Sequence, residues 1–441
     1  MNKIKVLVTF FCMLFFSQGF HAQAQEASTQ WDMLNLIRKE KFDLILPQAM
    51  RDNKVDMWIQ VMRGGNPDPL RLDLGVSVEG GTGYCIFTDR GGDRIERAIL
   101  GGEGDSDVYD ISGAAKDLRK FVAKRDPKRI AINSSEWLAF ADGLSHTGYL
   151  KLVKALGKKY AKRLVSAENV ITDFRTRRVM SEIAFFEQLC QETVEIAGRA
   201  LSRIKPGITT LRDLAMWLRK QSVARGLKMV FHKPEVFAGG LRDGGEDAER
   251  SSHIIQGGDV VFVCPNVESR MNYGTDIKRA AYVLREGETT LPPEIKKAFD
   301  KVMKVRKILR KNIKVGRTAG ETLDILKRKL EEAEFIYMDY EQFNKSADPE
   351  KTQIFVDCHP VGNTGNGNDA LGPHVAFYAL DRAHLKIPRN YIFSLEYATF
   401  MPVPKLGKGK YVYLHYEENV IATEEGVEFL YPPMERIRLI H

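Results

Sequence analysis

The chain has 441 residues, 44% of them hydrophobic and 28% charged, proportions typical of an ordinary globular protein rather than of a disordered or fibrous one. A chain of this length exceeds what one small hydrophobic core supports, so two domains are expected. The formal net charge of +8 is modest, and no run of lysine and arginine is dense enough to predict a nucleic-acid-binding arm.

The first residues have the composition of a secretory signal peptide. Lys3 and Lys5 provide a positive start, residues 6–16 an apolar run, and residues 22–24 an A-x-A cleavage site. We therefore predict a signal peptide over residues 1–24 and export of the mature chain to a periplasmic or extracellular space. The apolar run is short for a membrane span and no later run approaches the length needed, so an integral membrane protein is not expected.

Cysteine usage leaves two alternatives open. Cys12 is removed with the predicted signal peptide, and four cysteines remain, Cys85, Cys190, Cys264 and Cys358. They could pair in an oxidising compartment, but a chain of this size does not need disulfides for stability. Buried free thiols are the simpler expectation.

Residues 25–171 mix strand and helix signals. Met57 to Val61 and Gly83 to Thr88 are typical of strands, whereas Leu118 to Val122 and Gly148 to Leu156 are typical of helices. No cluster of ionisable residues accompanies these apolar runs. We therefore predict an α/β accessory domain over this part of the chain.

The second half, residues 172–441, begins with a long amphipathic helix, predicted from Arg178 to Ile204 and ended by Pro206-Gly207. The six residues from Ile204 to Thr209 recur loosely 109 residues later, from Ile313 to Thr318. Each copy follows an amphipathic helix and precedes another helix and then strands. This pattern predicts a duplicated αβ unit whose two halves share one sheet.

Four polar residues lie in or beside short apolar strand-like runs of this half: Asp276, His359, Glu396 and Glu417. Singly, each has a structural explanation, such as pairing of Asp276 with Arg279 or an edge-strand position for Glu396. Charged residues are rarely buried unless they are paired or bind metal. Four of them on strands of one sheet therefore favour a metal site with oxygen and imidazole ligands.

These residues also carry a resemblance to a known family. From about Thr172 onward the chain resembles the pita-bread metallopeptidases, the family of methionine aminopeptidase, aminopeptidase P and prolidase, and most of all their Xaa-Pro peptidase-like members. The matching stretches are Gly258 to Val263, Tyr273 to Asp276, His359 to Gly362, Leu395-Glu396 and Glu417 to Thr423. The preceding half resembles the creatinase-type N-terminal domain, through Asp56 to Ile59 and Asn66 to Pro69. The resemblance implies an α/β fold with a creatinase-like domain followed by a pseudo-symmetric antiparallel sheet flanked by helices.

The resemblance also implies a ligand set. The family holds two divalent cations through Asp, Asp, His, Glu and Glu in that order. Carried over by motif, Asp276 and Glu417 would bridge the two ions, and His359 and Glu396 would complete one of them. Glu418 is the poorer choice because neighbouring strand residues point to opposite faces. The expected cofactor is one or two divalent ions, namely manganese, zinc, cobalt or iron.

Two positions depart from the family pattern. Cys264 stands where the family has its first ligand Asp, in Cys264-Pro265-Asn266. A thiolate there could bind zinc or iron, the side chain could be a small buried hydrophobic group, or it could form a disulfide with Cys358. Asn366 stands where the family commonly has a second His that contacts substrate or the reaction intermediate; Asn366 can donate a hydrogen bond there but cannot carry a proton.

The sequence therefore predicts an exported metallopeptidase of the Xaa-Pro aminopeptidase or dipeptidase type, with Asn366 in the substrate pocket. Its expected substrate is a peptide, with peptides that carry proline at the second position as one candidate, and the family implies a homodimer. The main alternative is a non-catalytic peptide-binding relative that lost full metal binding. A metal-independent amide hydrolase of the creatinase kind fits less well, because four of the five ligand positions persist.

Overall fold

The protein is described by a computed structural model covering residues 30–105, 107–231, 234–243, 252–365 and 370–441. The predicted signal peptide and Asn366 lie outside these residues. The chain divides into two compact units: one ends at Val170, and the other runs from Ile171 to the C-terminus and includes Glu136–Ala139.

The first unit is built on a six-stranded mixed sheet. The strands of the whole unit are β1 (Met57–Arg63), β2 (Val76–Ser77), β3 (Thr82–Thr88), β4 (Glu96–Leu100), β5 (Glu103–Gly104), β6 (Ile111–Gly113), β7 (Ile130–Ile132) and β8 (Leu164–Ser166). The sheet order is β6-β4-β3-β1-β7-β8, while β2 and β5 pair separately. Strands β1, β3 and β4 are antiparallel neighbours, and the outer pairs β4–β6, β1–β7 and β7–β8 are parallel.

Helices of the first unit pack on this sheet. They are α1 (Leu46–Asp52), α2 (Arg71–Leu74), α3 (Leu118–Arg125) and α4 (His146–Ala161), with a π-helical turn at Lys41–Ile45. Alternate residues of β1, Met57, Ile59 and Val61, lie in one buried cluster with Leu118 of α3 and Leu152 of α4. The predicted strands and helices of this half are confirmed, each slightly longer than its sequence signal.

The second unit contains two helix pairs. Its helices are α5 (Glu168–Thr176), α6 (Met180–Leu201), α7 (Leu211–Ala224), α8 (Pro293–Asn312) and α9 (Ala319–Glu332). The predicted repeat is present as α6–α7 and α8–α9. In both copies the second helix starts with a capping box, formed by Thr210 with Asp213 and by Thr318 with Glu321. The structural equivalent of Thr318 is therefore Thr210 rather than Thr209, because the chain from Ile204 to the first cap is one residue longer than the chain from Ile313 to the second cap.

Strands from both halves form one sheet. The strands of the second unit are β9 (Lys228–Met229), β10 (Glu235–Asp243), β11 (Val260–Cys264), β12 (Val267–Glu268), β13 (Arg279–Val283), β14 (Ile336–Met338), β15 (Gln353–Val356), β16 (Tyr391–Pro402), β17 (Lys410–Ala422), β18 (Val427–Phe429) and β19 (Arg438–Ile440). The order of the large sheet is β14-β15-β16-β17-β10-β11-β13-β19, with β18 paired to β17 and β9 paired to β12 outside it. Only the end pairs β14–β15 and β13–β19 are parallel.

The centre of this sheet joins the two halves, through β10 of the first half and β17 of the second. One face packs on α8 and α9 in a large apolar cluster that includes Phe262, Tyr282, Val302, Leu326 and Leu395. The opposite face holds the polar residues discussed below. Within the described ranges, no helix combines the length and the apolar character needed to cross a membrane.

All four cysteines of the described chain are buried free thiols, as predicted. The alternative disulfide between Cys264 and Cys358 is not formed.

Candidate metal centre

Two carboxylates of the centre face each other across one pair of strands. In the antiparallel register of β16 and β17, Glu396 lies directly opposite Glu417. Asp276 comes from the loop before β13, and His359 follows β15. The register therefore places residues from four strands or strand ends on the same sheet face.

The structure brings these four side chains together. His359 Nε2 lies 3.0 Å from Glu396 Oε2, 3.7 Å from Asp276 Oδ2 and 3.7 Å from Glu417 Oε1. Asp276, His359 and Glu417 are at most 6% exposed. Buried carboxylates that converge in this way require compensating positive charge.

The electrostatics of this group show where charge is compensated. Burial alone would lower the pKa of His359, but its contacts with Glu396 and Glu417 raise that pKa well above its ordinary value. Burial and the charge of Glu417 raise the pKa of Asp276 well above its usual range. A bound cation would therefore favour the ionised form of Asp276.

Cys264 lies within this group and has the properties of a thiol. Its Sγ lies 2.8 Å from Asn266 Oδ1, 3.2 Å from Asp276 Oδ1 and 3.9 Å from Glu417 Oε2. Burial and the charges of Asp276 and Glu417 raise the pKa of Cys264 well above its ordinary value. The side chain is therefore protonated, and its sulfur is suited to donate a hydrogen bond rather than to bind a hard cation.

Lys278 is one of the residues of the centre that the sequence analysis did not identify. Its ammonium nitrogen lies 2.7 Å from Glu417 Oε2, 3.2 Å from Glu396 Oε1 and 3.1 Å from Glu235 Oε2. Burial would lower the pKa of Lys278, but these three carboxylates raise it well above the ordinary value. The available signal was nearness in the chain, because Lys278 lies only two positions after Asp276 in the loop before β13.

His415 is a second residue that the sequence analysis did not identify. It lies two residues before Glu417 in β17, so both side chains point to the same face of the sheet. Its Nε2 lies 2.7 Å from Glu396 Oε1, and its Nδ1 lies 2.9 Å from the Tyr413 hydroxyl. Burial would raise the pKa of Glu396, but the charge of Lys278 and the hydrogen bonds to His359 and His415 hold it well below its ordinary range. Glu396 is therefore ionised even without a bound cation.

A second histidine lies beside His359. His374 Nε2 lies 2.6 Å from Asp357 Oδ1, and the two histidine rings are 5.9 Å apart in an edge-to-face arrangement. Burial lowers the pKa of His374, so the ring is neutral and Nε2 carries the proton donated to Asp357. Its Nδ1, an acceptor in this tautomer, is buried and has no hydrogen-bond partner among the described residues.

The opposite face of β17 carries Glu418, as predicted. Glu418 accepts hydrogen bonds from Arg279 (2.9 Å), the Tyr431 hydroxyl (2.6 Å) and the backbone N–H of Met434 (2.7 Å). Arg279 therefore stabilises Glu418 in the interior. Cys358 lies in the apolar cluster beneath the sheet, away from the polar face.

Two sets of buried polar groups hold the loops that carry the centre. Asn419 accepts from the Asp276 N–H (3.0 Å) and donates to the Asp276 carbonyl (2.7 Å). Arg178 forms an ion pair with Glu182, and both side chains are fully buried. Arg178 also donates to the Val361 carbonyl at 3.1 Å.

The sheet, helix pairs and ligand order define the class of protein. The fold is similar to those of the X-Pro aminopeptidase from Thermotoga maritima MSB8 (TM-score 0.60, 16% identity, 89% of this chain and 100% of that chain covered) and the prolidase from Pyrococcus horikoshii OT3 (TM-score 0.55, 18% identity, 91% and 99% covered). It is also similar to that of a Xaa-Pro dipeptidase from Bacillus anthracis (TM-score 0.55, 16% identity, 91% and 99% covered). At these identities the likeness concerns the fold, and it confirms the predicted pita-bread class.

The family follows from the sequence itself. Residues 185–424, more than half of the chain, match the model of metallopeptidase family M24. The chain belongs to this family, which confirms the resemblance. None of the curated proteins compared with the chain matches it.

Family membership implies two divalent cations, and the residues present fit one of them. Asp276, His359, Glu396 and Glu417 supply the oxygen and imidazole donors of one site, and donor atoms of the last three lie within 4.8 Å of one another. Cys264, Asp276 and Glu417 form a second group whose donor atoms lie within 4.8 Å of one another. This group suits a hard divalent ion poorly, because a thiol stands where the family has a carboxylate and the Lys278 ammonium contacts Glu417 Oε2 at 2.7 Å.

Proposed function

We propose that the protein is a peptidase that uses one divalent cation to cleave peptides with proline at the second position. The observation that carries this proposal is the convergence of Glu396, Asp276 and Glu417 on His359 Nε2, at 3.0, 3.7 and 3.7 Å. A divalent cation held there would supply polarisation of the peptide carbonyl and activation of the attacking water.

The surrounding residues have separate tasks in this proposal. His359, Glu396, Asp276 and Glu417 would hold the cation, and Lys278 would keep the carboxylates of Glu396 and Glu417 in position. His374, whose ring lies 5.9 Å from that of His359 and whose Nε2 is bonded to Asp357 (2.6 Å), would accept a proton through Nδ1. The preference for proline is supported by likeness in fold to an X-Pro aminopeptidase and to a prolidase.

The site of action and the assembly are parts of the same proposal. The basic start, apolar run and A-x-A site of residues 1–24 support export to the periplasm or the medium. The homodimer implied by the resemblance remains a prediction, and the mass of the purified mature chain in solution tests it.

The test is cleavage of Xaa-Pro dipeptides and tripeptides by the mature chain, supplied in turn with Mn²⁺, Zn²⁺, Co²⁺ and Fe²⁺. We expect cleavage with at least one ion and its loss in His359→Ala. His384 is exposed and serves as the matched control. His384→Ala should cleave at the rate of the natural protein.

A second candidate is a peptide-binding protein without catalysis, favoured by the Cys264 thiol and by the Lys278 ammonium among the ligands. Calorimetric binding of the same peptides without cleavage under any of the four ions would support this candidate. It would also contradict the peptidase proposal.

A further inference from the structure

Lys278 has the surroundings of a bound cation. Its ammonium group has three N–H donors, and three carboxylate oxygens lie within 2.7 to 3.2 Å of the nitrogen, one each from Glu235, Glu396 and Glu417. The Lys278 side chain is only 4% exposed. Donors and acceptors therefore match in number in a place from which water is largely excluded.

We propose that the Lys278 ammonium takes the place of the second divalent cation, so that the centre binds at most one metal ion. The ammonium shares Glu417 Oε2 with the position at which a second ion would lie, because Cys264 Sγ is 3.9 Å from the same oxygen. Cys264 and Lys278 are thus two parts of one change: a carboxylate ligand is replaced by a neutral thiol, and a permanent positive charge is added beside it.

Displacement of Lys278 would not easily make room for a second ion. The residue directly precedes β13 (Arg279–Val283), and its backbone N–H donates to the Glu417 carbonyl at 3.1 Å. Only the side chain could move, and it would then lose its three carboxylate contacts. The backbone thus keeps Lys278 beside Glu417.

The inference rests on the centre proposed above but is tested by metal stoichiometry rather than by activity. The mature chain, Cys264→Asp with Lys278→Thr, and Cys264→Asp with Lys296→Thr are titrated with Mn²⁺ and Zn²⁺ by calorimetry. The bound metal is then measured by elemental analysis after dialysis. Lys296 is exposed on α8 and pairs only locally with Asp300, so the second double variant is the matched control.

We expect the Cys264→Asp, Lys278→Thr variant to bind one ion per chain more than the natural protein, and the control to bind the same number as the natural protein. Two ions bound by the natural protein would overturn the inference, as would a folded Lys278→Thr double variant that gains none. Folding of both variants is checked by circular dichroism.

A measurement on the natural protein makes the test independent of the variants. Two Mn²⁺ ions in a shared site lie about 3.5–4 Å apart and couple magnetically. The electron paramagnetic resonance spectrum of the Mn²⁺-saturated protein should therefore show uncoupled single ions. A coupled spectrum contradicts the inference. If the natural protein binds no ion while the Lys278→Thr double variant binds one, the inference stands and the proposed metal-dependent peptidase fails.

Discussion

Gly274 and Gly362 exchange two backbone hydrogen bonds, with N to O distances of 3.1 and 2.9 Å. This isolated bridge joins the loop before Asp276 to the loop after His359, so two ligands from different halves of the sheet are placed by one backbone contact. Gly362 adopts φ +85°, a conformation that is unfavourable for residues with a Cβ.

The bridge makes Gly362→Ala a sensitive change. The new methyl group would lie 3.2 Å from Arg178 Nη2, in addition to the strain of the positive φ. We expect a loss of about 1–2 kcal/mol of unfolding free energy from the backbone alone, with a further loss from the contact. Urea denaturation measures both. Gly287→Ala is the control, because Gly287 has φ +80° and open space around it; an equal loss at the two positions would exclude a role for the Arg178 contact.

The ion pair of Arg178 and Glu182 predicts a large effect of charge removal. Both side chains are fully buried, and Glu182 Oε1 also accepts from the Tyr273 hydroxyl at 2.9 Å. Glu182→Gln leaves a buried guanidinium without its countercharge, so the unfolding free energy should fall by about 3–5 kcal/mol. The exposed pair Glu195–Arg199 provides the comparison. Glu195→Gln should lower the unfolding free energy by less than about 1 kcal/mol. Similar losses for both pairs would contradict the expected difference between a buried and an exposed ion pair.

Asn419 positions Asp276 without contacting a cation itself. Asn419→Ala removes both hydrogen bonds to the Asp276 backbone, so the affinity for a single Mn²⁺ ion should fall about 10–100-fold. Calorimetry measures the Kd, and the stoichiometry should be unchanged. Asn312→Ala, which removes a bond to the Ile308 carbonyl in α8, is the control and should leave the Kd as it is. An unaltered Kd for Asn419→Ala would show that the ligand loop is held by other contacts.

The buried thiols predict chemical and pH behaviour. Burial raises the pKa of Cys85 from 9.0 to about 12. The folded protein therefore keeps a proton that the unfolded chain loses between these values, and stability falls as the pH rises through this window, at about 1.4 kcal/mol per pH unit for this group. Below pH 9 the contribution of Cys85 is constant. Denaturant midpoints measured from pH 7 to 11 test the direction, and a midpoint that rises with pH would contradict it.

Thiol labelling gives an independent check. At pH 8 the native mature chain should resist iodoacetamide, because all four cysteines are buried and free. After unfolding in guanidinium chloride, mass spectrometry should detect four adducts. Fewer adducts without a reducing agent would indicate a disulfide.

The sequence predicted the ligands of the centre better than the residues that surround them. Asp276, His359, Glu396 and Glu417 could be found because each interrupts a short apolar run, where a charge is conspicuous. Lys278 lies only two residues after Asp276, but its role depends on Glu235, which β10 supplies from elsewhere in the sheet. Strand order places that carboxylate, and a single sequence contains no direct record of strand order.

Two other errors have similar physical causes. The repeat was aligned one residue off because Thr209 and Thr210 both suit a helix N-cap, and only the hydrogen bond to Asp213 distinguishes them. His374 was overlooked because it follows no strand, and its contact with Asp357 depends on the course of the intervening loop.

The opposition of Glu396 and Glu417 across β16 and β17 also constrains how the molecule can be divided. Both carboxylates belong to the later half of the repeat, whereas the ammonium between them belongs to the earlier half. A fragment containing only the later half would have two facing like charges without their permanent counterion. The two halves of the repeat therefore depend on each other for the compensation of charge at this contact.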